Sequence, residues 1–400
     1  MAVDKLLQQA QEIHPMIISH RRWLHSHAEV GFDLKKTREY VKNALIDIGY
    51  SPKDCGKCGL VAAVGGNRNG KTFLLRADMD ALPIREETGL DFACRDGRMH
   101  ACGHDMHTAM LLGAARLLKE NEDAIEGTVK LIFQGAEEVF EGAKDMIAAG
   151  VLKNPDVDAA LMIHVAADIP LPAGTVIVSA PGVSAPAADY FTIRIHGKGC
   201  HGSSPHLGID PLIPAAQTIL ALENLNAREL PPADRSVITI GTIQGGTAGN
   251  VIADSVEMQG TIRTYDEETR AFIKRRITQM AENTAGACRA EAKTDFGSGC
   301  PTLSNNPQLS QFAERTLQNV LGESRVLSAG KLGGSQGGGS EDFAYISQEV
   351  PSLMLALAAG EPKNGFSYPQ HHPKVDFDEA ALPYGCAALA CIAMAYLEEH

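Results

Sequence analysis

The chain is short of positive charge. Its 36 Lys and Arg are outnumbered by 49 Asp and Glu, the net charge is -13, and no dense Lys/Arg run breaks that balance. A chain of this kind has no electrostatic footprint for a phosphate backbone, so no nucleic-acid partner is expected. It also lacks an apolar run of bilayer length. The longest candidates, such as Ala356 to Gly360 and its neighbours, are strand-sized, and no membrane partner is expected. The first residues, MAVDKLLQQA, read as the start of an amphipathic helix and not as a signal peptide, so a cytoplasmic setting is expected. Cysteine is scarce and odd in number, nine in all, which excludes a disulfide framework. Cys55 and Cys58 form a C-x-x-C pair, but a redox pair normally opens a helix after a strand. This one lies in a Gly-rich turn ahead of the strand Leu60 to Val64, and no second pair is near enough for a structural zinc. It reads as a surface turn.

What is present is length and pattern. With 400 residues, 44% hydrophobic, the chain can bury a large core and exceeds most single domains, so two domains are expected. Helical periodicity runs through residues 1 to 48. Leu60 to Val64 and Thr72 to Arg76, joined by Gly-Gly-Asn-Arg-Asn-Gly, read as a β-hairpin. A helix at Thr108 to Leu118, a strand at Val129 to Gln134, a helix at Ala143 to Ala149 and a strand at Leu161 to His164 follow. This alternation predicts an α/β domain, a mixed sheet flanked by helices on both faces. From Ala187 the order changes to strand, helix, strand, strand, helix, strand, closing at Phe296. That is the order of a small α+β sandwich. The expected organisation is therefore residues 1–186 and 297–400 as one domain, with 187–296 inserted as a second. Gly333 to Gly339 reads as a mobile loop.

Four segments carry chemistry. MHACGHDMHTA, at Met99 to Ala109, places Cys102 and His104 two apart across a glycine, with His100 and His107 on either side. Thiolate and imidazole are ordinary transition-metal ligands. The alternative is a polar loop in which Asp105 caps the following helix. FQGAEE, at Phe133 to Glu138, ends a strand with two adjacent carboxylates, so that one can bind a metal while the other serves as a base. His164 ends an apolar strand, where open α/β sheets place ligands, although a core histidine reads the same way. His371-His372-Pro373 lies in a loop near the C-terminus. Together these make a Cys, His, Glu, His and His set, mostly at the strand ends of one domain.

These segments, with the NVI at 250 to 252, SEDF at 340 to 343 and HHPKVDFDE at 371 to 379, resemble the metal-dependent amidohydrolase branch of the aminoacylase and carboxypeptidase superfamily, which includes hippurate and auxin-conjugate hydrolases. The resemblance runs from about Arg21 to Ala388. It implies a catalytic α/β domain with an inserted lid and dimerisation domain, and hence a homodimer. It implies two divalent metal ions bound by Cys102, His104, Glu138, His164 and His371, with Glu137 as general base and acid. Asp78 and Asp80, in RADMDALP, match a segment beneath that site and would orient ligands. In the lid it implies a histidine on the oxyanion, for which His206 is chosen over its rival His201, and an asparagine near the substrate, matched by Asn250. Arg263, at the end of a lid strand, is a candidate clamp for a substrate carboxylate, its alternative being a surface arginine on a sheet edge. Gly135 stands where the family usually has proline, and Val139-Phe140-Glu141 replaces a glycine-rich run.

The expected reaction is metal-dependent hydrolysis of the amide bond of an N-acyl or N-aroyl amino acid, with Phe140 offering an apolar surface to the acyl group. Dipeptidase or carboxypeptidase action is the alternative that keeps the chemistry, and a non-catalytic descendant that binds a metal or ligand is the alternative of another class. Cysteine among the ligands favours a softer ion such as Zn2+. The oxygen and imidazole ligands suit Mn2+ as well, with Co2+ or Ni2+ also compatible.

Overall fold

The computed structural model describes residues 2–65, 70–332 and 339–400. The chain forms two compact units, one of Met1–Ser184, Ser304–Gln336 and Asp342–His400, the other of Ala185–Leu303 and Gly337–Glu341. The expected loop at 333–339 falls almost entirely outside the described residues.

The first unit is built on an eight-stranded mixed sheet in the order Lys53–Cys55, Gly59–Gly65, Thr128–Gln134, Thr72–Asp78, Ala159–Ala166, Ser352–Ala358, Val176–Val178, Val326–Ser328. Thr128–Gln134, Thr72–Asp78, Ala159–Ala166 and Ser352–Ala358 are mutually parallel. All seven residues of Thr72–Asp78 are buried, as a strand covered on both faces requires. The helices His104–Glu120 and Leu382–Glu399 pack on each other and on that strand. Gly142–Ala148 and Ala344–Glu349 pack together against the neighbouring strands.

Three expectations need correction. The strands Gly59–Gly65 and Thr72–Asp78 are not a hairpin. Thr128–Gln134 lies between them, antiparallel to the first and parallel to the second. The glycines that suggested a tight turn instead permit a crossing. A Cβ on Gly65, whose φ is +79°, would sit 2.3 Å from the Gly127 carbonyl oxygen, and one on Gly70 would sit 2.4 Å from that of Glu126. Both glycines thus lie close against the start of the intervening strand. Residues 66–69 of the expected turn lie outside the described residues.

Next, Cys55 and Cys58 do flank a turn, between Lys53–Cys55 and Gly59–Gly65, but both thiols are buried and free. Burial pushes the Cys58 thiol up to about 11. Finally, one segment, Glu379–Glu399, is long and apolar enough to cross a membrane, with a mean hydropathy of 1.7. Its apolar character is spread over Ala, Gly and Cys and does not read as a Leu/Ile run. With 83% of that window buried in the protein, it serves as the core helix of this unit.

The second unit is a four-stranded antiparallel sheet in the order Ser236–Gly245, Ser255–Thr264, Ala187–His196, Glu291–Cys300. The helices Leu212–Asn224 and Glu267–Ala287 pack on each other and share one core with the sheet. Asp266 caps Glu267–Ala287 by accepting from the Thr269 N–H. The last strand runs past Phe296 because a bulge between Phe296 and Gly299 carries the ladder on to Cys300. This is why the unit extends beyond the expected 187–296.

Candidate metal centre

The parallel strands of the first unit deliver their polar residues at one end of the sheet. Thr72–Asp78 ends on Asp78 and continues to Asp80. Thr128–Gln134 leads into the turn holding Glu137 and Glu138, and Ala159–Ala166 carries His164 near its end. The loop before His104–Glu120 supplies Cys102 and closes on Gly103, at φ +96°. A Cβ there would lie 2.4 Å from Val165 Cγ2 and 3.0 Å from Phe377 Cζ, so this helix start can approach the sheet only with glycine.

These pieces bring all five expected ligands and Glu137 together. Ligand atoms of Cys102, His104 and His164 lie within 4.8 Å of one another, as do those of Cys102, Glu138 and His371, and those of His104, Glu137 and Glu138. Cys102 Sγ is 3.5 Å from His164 Nε2. Glu138 Oε1 is 3.7 Å from His371 Nε2 and 3.9 Å from His104 Nε2. The three groups overlap through Cys102, His104 and Glu138, so two ions held here would share ligands. His371 adopts a left-handed φ of +66°, and its N–H donates to the Ala101 carbonyl, tying its loop to the Cys102 segment.

The surroundings fix which nitrogen faces the centre. His104 donates from Nδ1 to the Asp80 carbonyl at 2.8 Å, and His164 donates from Nδ1 to the Val165 carbonyl at 2.7 Å, so Nε2 is the nitrogen each has left for the cluster. His107 is excluded as a ligand. Its Nε2 accepts from the Val165 N–H at 2.9 Å, so Nδ1 donates to Asp78 Oδ1 at 2.6 Å. The Asp80 carboxylate accepts from the N–H groups of both Glu137 and Glu138, at 3.0 and 3.2 Å.

His104 Nε2 and Glu138 Oε1 are buried without a hydrogen-bond partner. Burial, with Asp80 and Asp78 adding to it and His104 opposing, pushes the Glu138 carboxyl up to about 7. Burial alone would lower His104, but Asp78 and Cys102 hold it well above the ordinary imidazole range. The centre holds buried ligand atoms without hydrogen-bond partners, and its thiol, imidazole and carboxylate set fits divalent ions, although burial by itself pushes the Cys102 thiol up.

Of the remaining site candidates, His201, His206, Asn250 and Arg263 all belong to the second unit. His206 is exposed on the short turn Pro205–Leu207. His201 accepts through Nδ1 from the Ser203 N–H. Asn250 lies beside this segment, its carbonyl accepting from the Gly202 N–H at 2.8 Å. Arg263 is on an interior strand, not an edge, and donates from Nη1 to Ser340 Oγ at 2.6 Å. It lines a cleft of about 400 Å³ with Arg235, Val237 and Tyr265. Phe140 does not offer the expected apolar surface. It is 9% exposed, turned inward by a left-handed φ of +57°, whereas Val139 is 42% exposed. Gly135 is explained by its neighbours, since a Cβ there would meet Leu34 Cδ1 at 2.4 Å and Cys58 Sγ at 2.5 Å.

Reading the sequence missed a buried charge network behind the centre. Asp105 does not cap its helix. It accepts from Arg21 Nε at 3.2 Å and from His25 at 2.9 Å, and His25 also meets Glu86 at 3.1 Å. The only signal was two basic residues four apart, Arg21 and His25, on the buried face of the helix His14–Ser26.

Residues 74–395 match the family model described as Peptidase family M20/M25/M40. Over 400 aligned residues the chain is 37% identical to a thermostable carboxypeptidase of Saccharolobus solfataricus, covering 98% of each. It is 36% identical over 372 residues to an N-acetyl-L-cysteine deacetylase of Bacillus subtilis, covering 92% of this chain and 85% of that protein. Among solved structures it resembles a dinuclear metal binding peptidase of the M20 family from Bacillus subtilis, at a TM-score of 0.80 and 33% identity, covering 97% and 99% of the two chains.

The network behind the centre makes stability depend on pH. Burial would lower His25, but Asp105 and Glu86 raise it to about 9. A histidine raised above its unfolded value of about 6.5 stabilises the fold fully below that pH, and the contribution is lost as pH rises through the folded value. In chelated protein, the unfolding free energy from denaturant titration is expected to fall between about pH 6.5 and 9.5 by up to about 3 kcal/mol. His25→Gln should flatten that slope. Parallel slopes for the two proteins would show that His25 is not charged in the fold.

Proposed function

The chain belongs to peptidase family M20/M25/M40, and from that premise we propose that it hydrolyses the amide bond of N-acyl amino acids, releasing a carboxylic acid and an amino acid. It is a metal-dependent hydrolase. The observation that supports hydrolysis is the clustering of Cys102, His104, Glu138, His164 and His371 in overlapping ligand groups with Glu137 beside them, and the deacetylase relative supports the N-acyl substrate. Divalent ions bound there supply Lewis acidity for an amide carbonyl and for an attacking water.

The chain's own residues do the rest. Glu137 takes the proton from the water as its oxygen adds to the amide carbon, then passes it to the leaving nitrogen as the C–N bond breaks. Asp80 holds Glu137 and Glu138 by their N–H groups, so the base and its neighbouring ligand keep a fixed separation. His206, with Asn250, is assigned to the oxyanion, and Arg263 to the carboxylate of the amino-acid half through a bidentate pair. Zn2+ and Mn2+ are the ions proposed, the first favoured by Cys102. Nine free cysteines support a reducing, cytoplasmic setting. The carboxypeptidase relative supports a second reading, removal of a C-terminal residue from a peptide. A kinetic panel of N-acyl amino acids against peptides separates the two.

A homodimer through the second unit is part of the proposal. The edge strand Ser236–Gly245 exposes Val237 and Ile243, and the helix Leu212–Asn224 exposes Ile213 and Leu220, the last at 71%. Apolar side chains beside an open edge suit a two-fold interface.

Chelation is expected to abolish turnover, with Zn2+, Mn2+ or Co2+ restoring it. Glu137→Gln should retain its metal by elemental analysis and lose about 10²- to 10⁴-fold in kcat. Loss of metal from that variant would exchange the roles of Glu137 and Glu138.

For Arg263, one acyl amino acid is compared with its α-carboxamide. Wild type should cleave the amide form far more slowly, and Arg263→Ala should remove the difference. Equal cleavage of both by wild type would dissociate Arg263 from the substrate.

Sedimentation should show a dimer that Leu220→Asp disrupts. If His206 acts across the interface, mixing inactive Glu137→Gln and His206→Ala proteins should restore roughly a quarter of wild-type activity, since half the random dimers carry one complete site. A dimer without such rescue would confine His206 to its own subunit, and a monomer would remove the interface.

A further inference from the structure

We infer that Asp342 is a positioning residue for Glu137, clamping the turn that carries it. The inference rests on Glu137 being the base. Asp342 is fully buried, and its carboxylate is occupied on both oxygens. Oδ1 accepts from Arg76 Nη2 at 2.8 Å and from Gln134 Nε2 at 2.7 Å, and Oδ2 accepts from the Ala143 N–H at 2.9 Å. Its own N–H donates to Glu137 Oε1 at 3.4 Å. One residue therefore holds the strand end before the turn, the helix start after it, and the reactive carboxylate between them.

The turn needs holding. Ala136 and Phe140 both sit in the left-handed region, at φ +59° and +57°, without being glycine. Such conformations cost on the order of 1–3 kcal/mol each and persist only where the surroundings over-determine them. The Phe140 N–H closes on the Glu137 carbonyl at 2.7 Å, which makes the turn compact but does not anchor it to the sheet. Asp80 anchors its main chain, and Asp342 adds a second anchor through Gln134 and Arg76. Arg76 is itself buried and donates to Asp78 at 2.6 Å and to Gln134 Oε1 at 3.1 Å. Arg76 balances the Asp342 charge inside the sheet, so the clamp is not an isolated buried carboxylate.

A base held at its main chain by Asp80 and at its carboxylate by the Asp342 N–H has little freedom to turn from the water it must deprotonate. Misplacing a reacting group by about 1 Å can cost about 100-fold in rate. Glu138 is held through its N–H by Asp80, whereas the Asp342 N–H reaches the Glu137 carboxylate, so loosening the clamp acts first on Glu137.

The test is a double-mutant cycle on the metal-loaded enzyme, measuring kcat, KM and metal content for wild type, Asp342→Asn, Glu137→Gln and the double variant. Asp342→Asn is expected to lower kcat by about 10- to 100-fold with KM nearly unchanged and metal retained. In the Glu137→Gln background the same change should cost less than about twofold, because its effect runs through a group already removed. Gln134→Met, which strips a donor from the clamp without altering charge, should show the same non-additivity and stands in if Asp342→Asn does not fold. Equal losses in both backgrounds, an unchanged kcat, or a loss accounted for by missing metal would overturn the inference while leaving Glu137 as base. Full turnover in Glu137→Gln would overturn both.

Discussion

The site depends on one aspartate doing three things at once. Asp80 offers its carbonyl to His104 Nδ1 and its two carboxylate oxygens to the N–H groups of Glu137 and Glu138. The imidazole from the helix start and the two carboxylates after the neighbouring strand are thus referenced to the same residue, at the end of the central strand. Parallel strands make this possible. Adjacent parallel strands end on the same side, so Asp80, Glu137 and His164 emerge beside one another although more than fifty residues separate Asp80 from Glu137. An antiparallel pair would have sent one of them to the far side of the sheet.

The same crowding sets an electrostatic problem. Asp78, Asp80, Glu137, Glu138 and Asp342 lie in one buried region, and buried carboxylates are tolerated only when paired and hydrogen-bonded. The fold answers with a cation beneath the centre and donors around it. Arg76 is shared between Asp78 and Asp342, His107 binds Asp78, and Arg21 with His25 binds Asp105. Among the atoms these partners leave unmet are His104 Nε2 and Glu138 Oε1, which belong to the cluster where divalent ions would sit, and Asp105 Oδ1 and both ring nitrogens of His100, which do not.

Much of this was legible from local pattern. A strand buried on both faces reads as a continuous apolar run, and LMIH and VKLIFQGAEE announce their polar ends without help from the rest of the chain. The spacing of Cys102 and His104 across Gly103 is equally local. What was not legible depends on distant partners. Gly65 and Gly70 carry ordinary turn chemistry, and nothing near them says that Thr128–Gln134 will occupy the place between the two strands. The burial of Phe140 follows from a turn whose left-handed residues no propensity indicates. Asp342 reads as one acid in a polar motif, and its partners Arg76, Gln134 and Ala143 lie some two hundred or more residues earlier in the chain.

Under the proposed reading, the two activities named among the relatives need not conflict. An N-acyl amino acid and the C-terminal end of a peptide present the same half to the enzyme, an amide nitrogen on an amino acid with a free carboxylate. A metal cluster, a base and a guanidinium serve both. Discrimination must then lie on the acyl side, where hydrophobic pockets distinguish substrates by only about 1–3 kcal/mol per methylene. Phe140 cannot supply it from within the core. Val139, directly after Glu138, is the large apolar side chain of that turn left in contact with solvent. On that reading the chemistry is fixed by buried, mutually constrained residues, and Val139 is an exposed apolar side chain next to them in the chain. A family built this way can change its substrates without disturbing its centre.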